Sequence, residues 1–141
     1  MSMELQIFKT LWGHAGGLDH AISACSNGEW DGLEGQAPAT ATARTELAMK
    51  LAANGLSFIA EICTAGSYVP NRQASAAEHL ESLRRQAENA VECNPLFLTI
   101  IAGCDAWPVA QSVDFFGHAM AELDQQGAIG SFETHRSRSF F

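Results

Sequence analysis

Short apolar runs alternate with helix-like segments along the whole chain, and this alternation constrains the fold more than any other feature. The predicted strands cover residues 5–11, 31–36, 56–63, 96–103 and 128–133. The predicted helices between them cover residues 17–26, 41–53, 76–92 and 109–125. Strands joined by single helices run parallel through right-handed crossovers, because a tight hairpin cannot join strands that point the same way. The sequence therefore predicts an α/β protein, either a doubly wound sheet or a TIM barrel.

Two of the predicted helices have clear sequence signals. Ser75 and Glu78 have the spacing of a capping box at the start of the third helix. The apolar stripe of that helix is predicted to consist of Leu80, Leu83, Ala87, Ala90 and Val91. The fourth helix begins beside Pro108, which suits a first helical turn. Its apolar side is predicted to consist of Val113, Phe116, Met120 and Leu123.

The composition indicates one globular domain that binds neither nucleic acid nor membrane. The chain has 141 residues, of which 47% are hydrophobic and 17% charged, enough for one core and too few for two ordinary domains. The net charge of −8 disfavours binding to a phosphate backbone. Neither a secretory signal pattern nor a membrane-spanning apolar run is present, so we expect a cytoplasmic location. The four cysteines lack metal-ligand spacing and are predicted to be small buried hydrophobes.

Three predicted helix ends share one spacing. At each, an Asn or Gln precedes a glycine, which suits the left-handed conformation that ends a helix. An acidic residue follows each glycine by six positions. The pairs are Gly28 with Glu34, Gly55 with Glu61, and Gly127 with Glu133. Because parallel strands open onto one common mouth, we expect these carboxylates to converge there with Asp105, which follows the fourth strand.

The last predicted strand delivers polar residues to the same mouth. Strand alternation places Ser131, Glu133 and His135 on one face. If Phe132 packs on the helices, Glu133 and His135 point inward. Carboxylates clustered with an imidazole suit either a divalent metal or proton transfer. A single carboxylate such as Glu34 or Glu61 is equally well explained as a solvated strand end.

Several aromatic residues and histidines lie in or near the loops after the strands. Trp12 and His14 follow the first strand, Tyr68 follows the third, and Trp107 follows the fourth. Such side chains either wall a sugar-sized pocket or pack within the loops. The histidines on the predicted helices have no metal-ligand spacing and are predicted to be solvated or capping residues. These are His20, His79 and His118.

Four segments carry a resemblance to a known family. They are W-D-G-L-E-G-Q at residues 30–36, A-E-I-C-T at 60–64, G-C-D-A-W at 103–107 and F-E-T-H-R at 132–136. In these segments and in its layout the chain resembles the N-terminal half of the sugar phosphate isomerase/epimerase family, which has a xylose isomerase-like TIM barrel. The resemblance implies one C-terminally truncated domain over residues 1–141. Because a full barrel takes about 250 residues, this domain holds about five strands and four helices of an eightfold barrel.

The resemblance also implies an activity. Members of the family hold Mn²⁺, Mg²⁺, Co²⁺ or Zn²⁺ and move a proton between carbons beside a carbonyl of a sugar or polyol, through an enediolate. Glu133 matches a metal-binding glutamate, and it is predicted to be catalytic together with His135. The predicted substrate-binding residues are Trp12, His14, Glu34, Glu61, Asp105, Trp107 and Arg136. The other metal ligands would come from later strands, so we expect this chain alone to be inactive.

Two other functional readings stay open. The first is a non-catalytic half-barrel that pairs with itself as a homodimer or with another protein, because an open half-barrel exposes its inward face and two strand edges. The second keeps the barrel but changes its chemistry, since related barrels act as dehydratases or as metal-dependent endonucleases. The acidic charge balance makes the endonuclease the least favoured of these.

Overall fold

The strands and helices alternate as the sequence predicts. The computed structural model describes residues 4–26 and 28–139. Within these residues the strands are β1 (Phe8–Thr10), β2 (Gly32–Gln36), β3 (Ser57–Cys63), β4 (Phe97–Ile101) and β5 (Gly130–Phe132). The helices are α1 (Leu18–Cys25), α2 (Ala41–Ala53), α3 (Ala76–Val91) and α4 (Val109–Gln126).

The topology of the sheet distinguishes between the two predicted architectures. All neighbouring strands pair in parallel, in the order β1-β2-β3-β4-β5. A doubly wound sheet reverses its strand order at a switch point, whereas a TIM barrel adds each strand beside the previous one. The observed order therefore confirms a partial TIM barrel, with β1 and β5 at its two edges.

β1, β4 and β5 are shorter than predicted, and the edge strands β1 and β5 each pair on one side only. β1 pairs with β2 from Phe8 to Thr10, and β5 pairs with β4 from Gly130 to Phe132. Hydrogen bonding continues one residue further on each edge: the Leu11 amide donates to the Glu34 carbonyl at 2.7 Å, and the Glu133 amide donates to the Ile100 carbonyl at 2.9 Å. Glu133 thus lies just beyond the end of β5.

The predicted helix boundaries have the expected local chemistry. Ser75 and Glu78 form both hydrogen bonds of the capping box at the start of α3. The glycines that follow the helices have left-handed φ angles of 79° at Gly28, 65° at Gly55 and 64° at Gly127. Asn27, which precedes the first of these glycines, lies outside the described residues. These turns bring the chain back from each helix into the next strand.

The sheet has one apolar face, toward the helices, and one mixed face, on which polar side chains lie beside Ile59, Cys63 and Ile101. The outward face packs against the helices through buried residues, namely Leu33, Phe58, Ala60, Ile62, Leu98 and Ile100. The register aligns Gln36 with Glu61, Glu61 with Thr99, and Thr99 with Ser131 on the inward face. Because strand side chains alternate, polar residues two positions apart share this inward face. The interior of the half-barrel is therefore lined by polar side chains together with a few apolar ones.

The predicted apolar side of α4 is confirmed at Leu123 and at the half-buried Phe116, and was wrong at Val113 and Met120. The helix buries Ser112, Phe115, Ala119 and Leu123. Val113 and Met120 are instead 65% and 48% exposed. The sequence offers two overlapping stripes here, because Phe115 and Phe116 are adjacent and both aromatic. Phe115 takes the inner position, where its ring packs edge-on against Trp107 at a centroid distance of 5.2 Å.

The predicted solvated or capping role of His79 was also wrong. His79 is completely buried on the same face of α3 as Leu83 and Ala87. Its Nδ1 atom lies 2.7 Å from the Thr64 hydroxyl, and its ring packs edge-on against Trp107 at 4.8 Å. Burial, and next the positive charge of Arg138, lower the pKa of His79 to about 4. The imidazole is therefore a neutral part of the core.

Two further expectations from composition can be compared with the structure. All four cysteines are buried and free, which confirms that they act as small core residues. None of the helices in the described part of the chain combines the length and the apolar character needed to cross a membrane.

Candidate functional site

A cavity of about 470 Å³ opens at the C-terminal ends of the strands. It is lined by Thr10, Trp12, Glu34, Glu61, Tyr68, Val69, Ile101, Glu133, His135 and Arg136. Six of the predicted site residues therefore meet in this cavity, namely Trp12, Glu34, Glu61, Glu133, His135 and Arg136. They arrive from β2, β3 and the segments after β1 and β5, because parallel strands present their C-terminal ends at one edge of the sheet.

Glu34 is affected by the two other glutamates of this cavity. Glu34 lies in the middle of β2 and is half-buried. Its partial burial, and then the negative charges of Glu61 and Glu133, raise the pKa of Glu34. The carboxylates expected from the glycine spacing thus converge closely enough to interact. A carboxyl group in such surroundings holds its proton more strongly than an isolated one does.

The Glu61 carboxylate has protein partners on both of its oxygens. The Tyr68 hydroxyl lies 3.0 Å from Oε1 and 2.9 Å from Oε2, and the Gln36 amide donates to Oε1 at 3.3 Å. Burial, followed by the hydrogen bond to Glu61, raises the pKa of Tyr68, so its hydroxyl stays protonated and acts as a donor. Burial, and next the charge of Glu61, raise the pKa of the Cys63 thiol to about 11. Cys63 is therefore not a reactive thiolate.

Aromatic rings line one side of the cavity. Trp12 packs edge-on against Tyr68 at a centroid distance of 6.4 Å, and Tyr68 packs against His135 at 5.7 Å. Trp12 is 72% exposed, so its ring remains available to a ligand. Aromatic faces beside carboxylates suit a sugar, which presents C–H groups and hydroxyl groups together.

Arg138 anchors the segment that carries Glu133 and His135, and the sequence did not indicate this role. Its side chain is 1% exposed and donates to four backbone carbonyls. These belong to Thr64 at 2.7 Å, Gly103 at 3.2 Å, Tyr68 at 3.3 Å and Ser67. The segment after β5 is therefore tied to the loops after β3 and β4. No local pattern could have revealed Arg138, because its partners lie 35 to 74 positions away in the chain.

Three predicted site residues lie outside the cavity. Asp105 forms an ion pair with Arg72 at 2.8 Å. Trp107 packs between α3 and α4, against the rings of His79 and Phe115. His14 contacts His20 at the start of α1. Loop residues have no fixed period, so the order of residues after a strand does not determine which side chain turns inward.

The donor groups of this chain do not form a complete metal site. Glu133 is the ligand that the family resemblance implies. Within residues 4–26 and 28–139, no three His, Cys, Asp or Glu side chains are placed to hold a metal ion together. The Glu61 carboxylate already accepts hydrogen bonds from Tyr68 and Gln36. The residues present therefore do not fit a divalent ion by themselves.

Comparisons with known proteins give the fold. No family model matches the sequence, and no curated protein matches it. The IolI protein, solved with a bound zinc atom, matches 96% of this chain with a TM-score of 0.70 and 9% identity over 54% of its own length. Endonuclease IV from Thermus thermophilus matches 92% of this chain with a TM-score of 0.59 and 14% identity over 51% of its own length.

These matches define the class of the protein. Both matched structures are xylose isomerase-like TIM barrels. The chain spans about half the length of each of them. It therefore has the fold of about half of a TIM barrel, as predicted from the sequence. At 9% and 14% identity the likeness extends to the fold alone.

Proposed function

We propose that this chain carries the carboxylate-rich half of the active site of a sugar or sugar phosphate isomerase or epimerase. The single observation behind this proposal is the meeting of Glu34, Glu61 and Glu133 with His135 in one cavity at the strand ends. Isomerisation and epimerisation both require removal of a proton beside a carbonyl and its return to another position or face. Carboxylates and an imidazole are the groups that perform such transfers near neutral pH.

Each cavity residue has a role in this scheme. Glu133 and His135 are the proposed proton-transferring residues, because they lie at the exit of β5 and line the cavity together. Glu34, whose pKa is raised by partial burial and by the neighbouring carboxylates, hydrogen-bonds a sugar oxygen. Trp12 packs on the sugar ring, and Arg136 binds hydroxyl or phosphate oxygens.

The family resemblance adds a divalent metal to the proposal. Mn²⁺, Mg²⁺, Co²⁺ or Zn²⁺ would bind Glu133 together with ligands from outside the described residues. Such an ion would supply Lewis-acid stabilisation of negative charge on the substrate oxygen. The zinc atom in the IolI structure supports a metal in this fold. The roles given above to Glu34 and His135 do not depend on such an ion.

The decisive experiment is a proton-exchange assay on the natural protein purified from its source. Its intact mass shows whether the natural chain is larger than 15.1 kDa. In D₂O, with each divalent metal and a panel of aldoses, ketoses and their phosphates, the NMR signal of the proton beside the carbonyl should disappear. Glu133→Gln should slow this exchange by about 100-fold or more, the range of a lost general base. The control Glu46→Gln, at an exposed carboxylate on α2, should leave the rate unchanged.

Exchange that proceeds equally fast in Glu133→Gln, or that occurs with none of the sugars, would contradict the proposal. The chain of residues 1–141 alone should give no more exchange than the metal without protein. Activity of this chain above that background would show instead that it contains a complete site.

A non-catalytic half-barrel that self-associates is the second candidate. It is favoured by apolar side chains next to both strand edges. Leu5 and Ile7, before β1, are 80% and 48% exposed, and Ile129, before β5, is 73% exposed. Sedimentation equilibrium should then detect a dimer that Ile129→Lys weakens, whereas Met49→Lys on α2 should not affect it. A monomer at all concentrations would exclude this candidate.

The proposal also includes a small-molecule substrate and a cytoplasmic location. Four free, buried cysteines suit a reducing compartment, where thiols stay reduced. Cell fractionation tests the location.

The net charge of −8 opposes DNA as a substrate, although one matched structure is an endonuclease. A nuclease assay with the same metals should find no cleavage of DNA.

A further inference from the structure

A smaller cavity, the side cavity, adjoins the main cavity that contains Glu133. The side cavity has a volume of about 250 Å³ and lies at the ends of β1 and β2. The two cavities share four lining residues, namely Thr10, Trp12, Glu61 and Tyr68. A complete ligand site usually has about 300–1,000 Å³, so the side cavity suits one part of a ligand whose remainder lies in the main cavity.

Three residues line the side cavity but not the main cavity. They are Leu11, Gly35 and Gln36. The Leu11 amide donates to the Glu34 carbonyl at 2.7 Å, so Leu11 continues the pairing of β1 with β2. A Cβ atom at Gly35 would lie 3.0 Å from Leu11 Cδ1. The glycine therefore leaves the space that the Leu11 side chain occupies.

Gln36 ends β2 and presents an exposed amide to the side cavity. One of its N–H groups donates to Glu61 Oε1 at 3.3 Å. A glutamine side chain also has a second N–H group and a carbonyl oxygen. Neither of these bonds to another side chain or carbonyl within residues 4–26 and 28–139. Both are therefore available to hydroxyl groups of a ligand.

The other walls of the side cavity are apolar or acidic. Trp12 and Leu11 offer apolar surface, whereas Gln36 and Glu61 offer polar atoms. The Trp12 backbone N–H donates to the Thr10 hydroxyl at 3.1 Å, which fixes the turn that presents the exposed Trp12 ring. Among the described residues, no Lys or Arg lines this space. A sugar ring presents C–H and hydroxyl groups together, whereas a phosphate would meet the charge of Glu61 without a cation beside it.

We propose that the side cavity binds a second, uncharged sugar ring. The reducing sugar, which carries the carbonyl, lies beside Glu133 and His135 in the main cavity, and the linked ring lies in the side cavity. The substrate class is then a disaccharide or another reducing glycoside. Gln36 determines this specificity through hydrogen bonds to hydroxyl groups, and Trp12 contacts both rings because it lines both cavities. This inference rests on the sugar-binding role proposed above for the main cavity.

Titrations of the 141-residue chain, followed by NMR, test the side cavity. The probes are xylose with xylobiose, glucose with cellobiose and maltose, and glucose 6-phosphate. We expect at least one disaccharide to bind about tenfold more tightly than its monosaccharide, the gain of one or two net hydrogen bonds. That disaccharide should shift the side-chain amide signals of Gln36. Its monosaccharide should shift the ring signals of His135 and leave those of Gln36 in place.

Substitutions at Gln36 test whether the gain arises in the side cavity. Gln36→Ala should lower the ratio of disaccharide affinity to monosaccharide affinity from about ten to near one, because the second ring loses its polar partner. Gln36→Trp, which fills the side cavity, should lower this ratio in the same way. Gln125→Ala is the matched control, because Gln125 is an exposed glutamine on α4. It should leave the ratio unchanged.

Several results would overturn the proposal. They are a ratio near one for every pair in the wild-type chain, a ratio that survives both substitutions at Gln36, and no binding of any sugar. Equal weakening of both sugars by Gln36→Ala would also overturn it, because Gln36 would then act through Glu61 alone. Tighter binding of glucose 6-phosphate than of any disaccharide would assign the space to a phosphate instead.

The proton-exchange assay separates failure of this proposal from failure of the proposed function. Exchange that depends on Glu133 but shows no preference for a disaccharide would remove this proposal and leave the proposed function standing. Absence of exchange with every monosaccharide and disaccharide would remove both.

Discussion

At the scale of single residues, Glu34 is the residue whose surroundings most oppose its charge. Partial burial and the carboxylates of Glu61 and Glu133 raise its pKa in the folded state. The folded chain therefore binds this proton more tightly than the unfolded chain, and stability is lost as pH rises through the folded pKa. A residue kept at such a cost is consistent with a role in the cavity rather than in folding.

Glu34→Gln should therefore stabilise the chain at pH 7. We expect the free energy of unfolding in urea to rise by roughly 0.5–2 kcal/mol, the range of a typical stabilising substitution. The gain should shrink as pH falls and vanish well below pH 4, because only below the pKa of glutamate in an unfolded chain, about 4.3, is Glu34 protonated in both states. Glu46→Gln, which removes an exposed carboxylate on α2, should show no such pH-dependent gain. Equal or lower stability of Glu34→Gln at pH 7 would contradict this account of the cavity.

Arg138 is the residue that fixes the segment after β5 in place. Arg138→Met has a similar length but cannot donate to the carbonyls of the loops after β3 and β4. We expect a loss of about 2–4 kcal/mol in unfolding free energy, because buried carbonyls lose their donor. Amide exchange at Cys104 and Asp105, which bond to Ser139 and Ser137, should also become faster. The exposed Arg136→Met should change neither quantity appreciably.

At the scale of helices and strands, local sequence determined most of the structure. The capping box of Ser75 and the glycines after the helices are local signals, so the element order and the bounds of α2 and α3 were predictable. The lengths of β1 and β5 were not predictable from local sequence, because the length of a strand also depends on how many neighbouring strands it pairs with. The buried side of α4 was not predictable either. Phe115 and Phe116 are both aromatic, and the contact with Trp107 buries Phe115 rather than Phe116.

The packing of α3 on the sheet should make stability depend on pH through His79. Its folded pKa of about 4 lies below the ordinary value of 6.5, so between these values the unfolded chain binds more protons. The stability is complete above about pH 6.5 and is lost as pH falls toward 4, by about 3 kcal/mol at most. Urea titrations at several pH values give the unfolding free energy as a function of pH. This free energy should change less steeply with pH in His79→Gln than in wild type. His118→Gln, at an exposed site on α4, should keep the wild-type slope, and equal slopes in all three would refute this.

At the scale of the whole molecule, the parallel sheet explains which site residues were predictable. Six of them reach one cavity because strand alternation and the common strand direction act together. Asp105, Trp107 and His14 lie elsewhere, because their loops pair them with Arg72, with His79 and with His20 instead. Arg138 was missed because its contacts link distant parts of the chain. The sequence thus predicts at which end of the sheet the site lies, whereas loop packing decides which loop side chains enter the cavity.

Because the sheet is open, we expect the five strands to differ in local stability. β3 lies at the centre of the five strands, whereas β1 and β5 each have one neighbour and form three-residue ladders. For the isolated chain as a monomer, hydrogen exchange should therefore be slowest in β3, faster in β2 and β4, and fastest in β1 and β5. If copies pair through these edges, exchange in β1 and β5 should slow as protein concentration rises, with β3 unaffected. In a longer natural protein, both edges should be protected at every concentration, because further strands of the same barrel would cover them. Edge strands as protected as β3 in a dilute 15.1 kDa monomer would contradict the open five-stranded sheet itself.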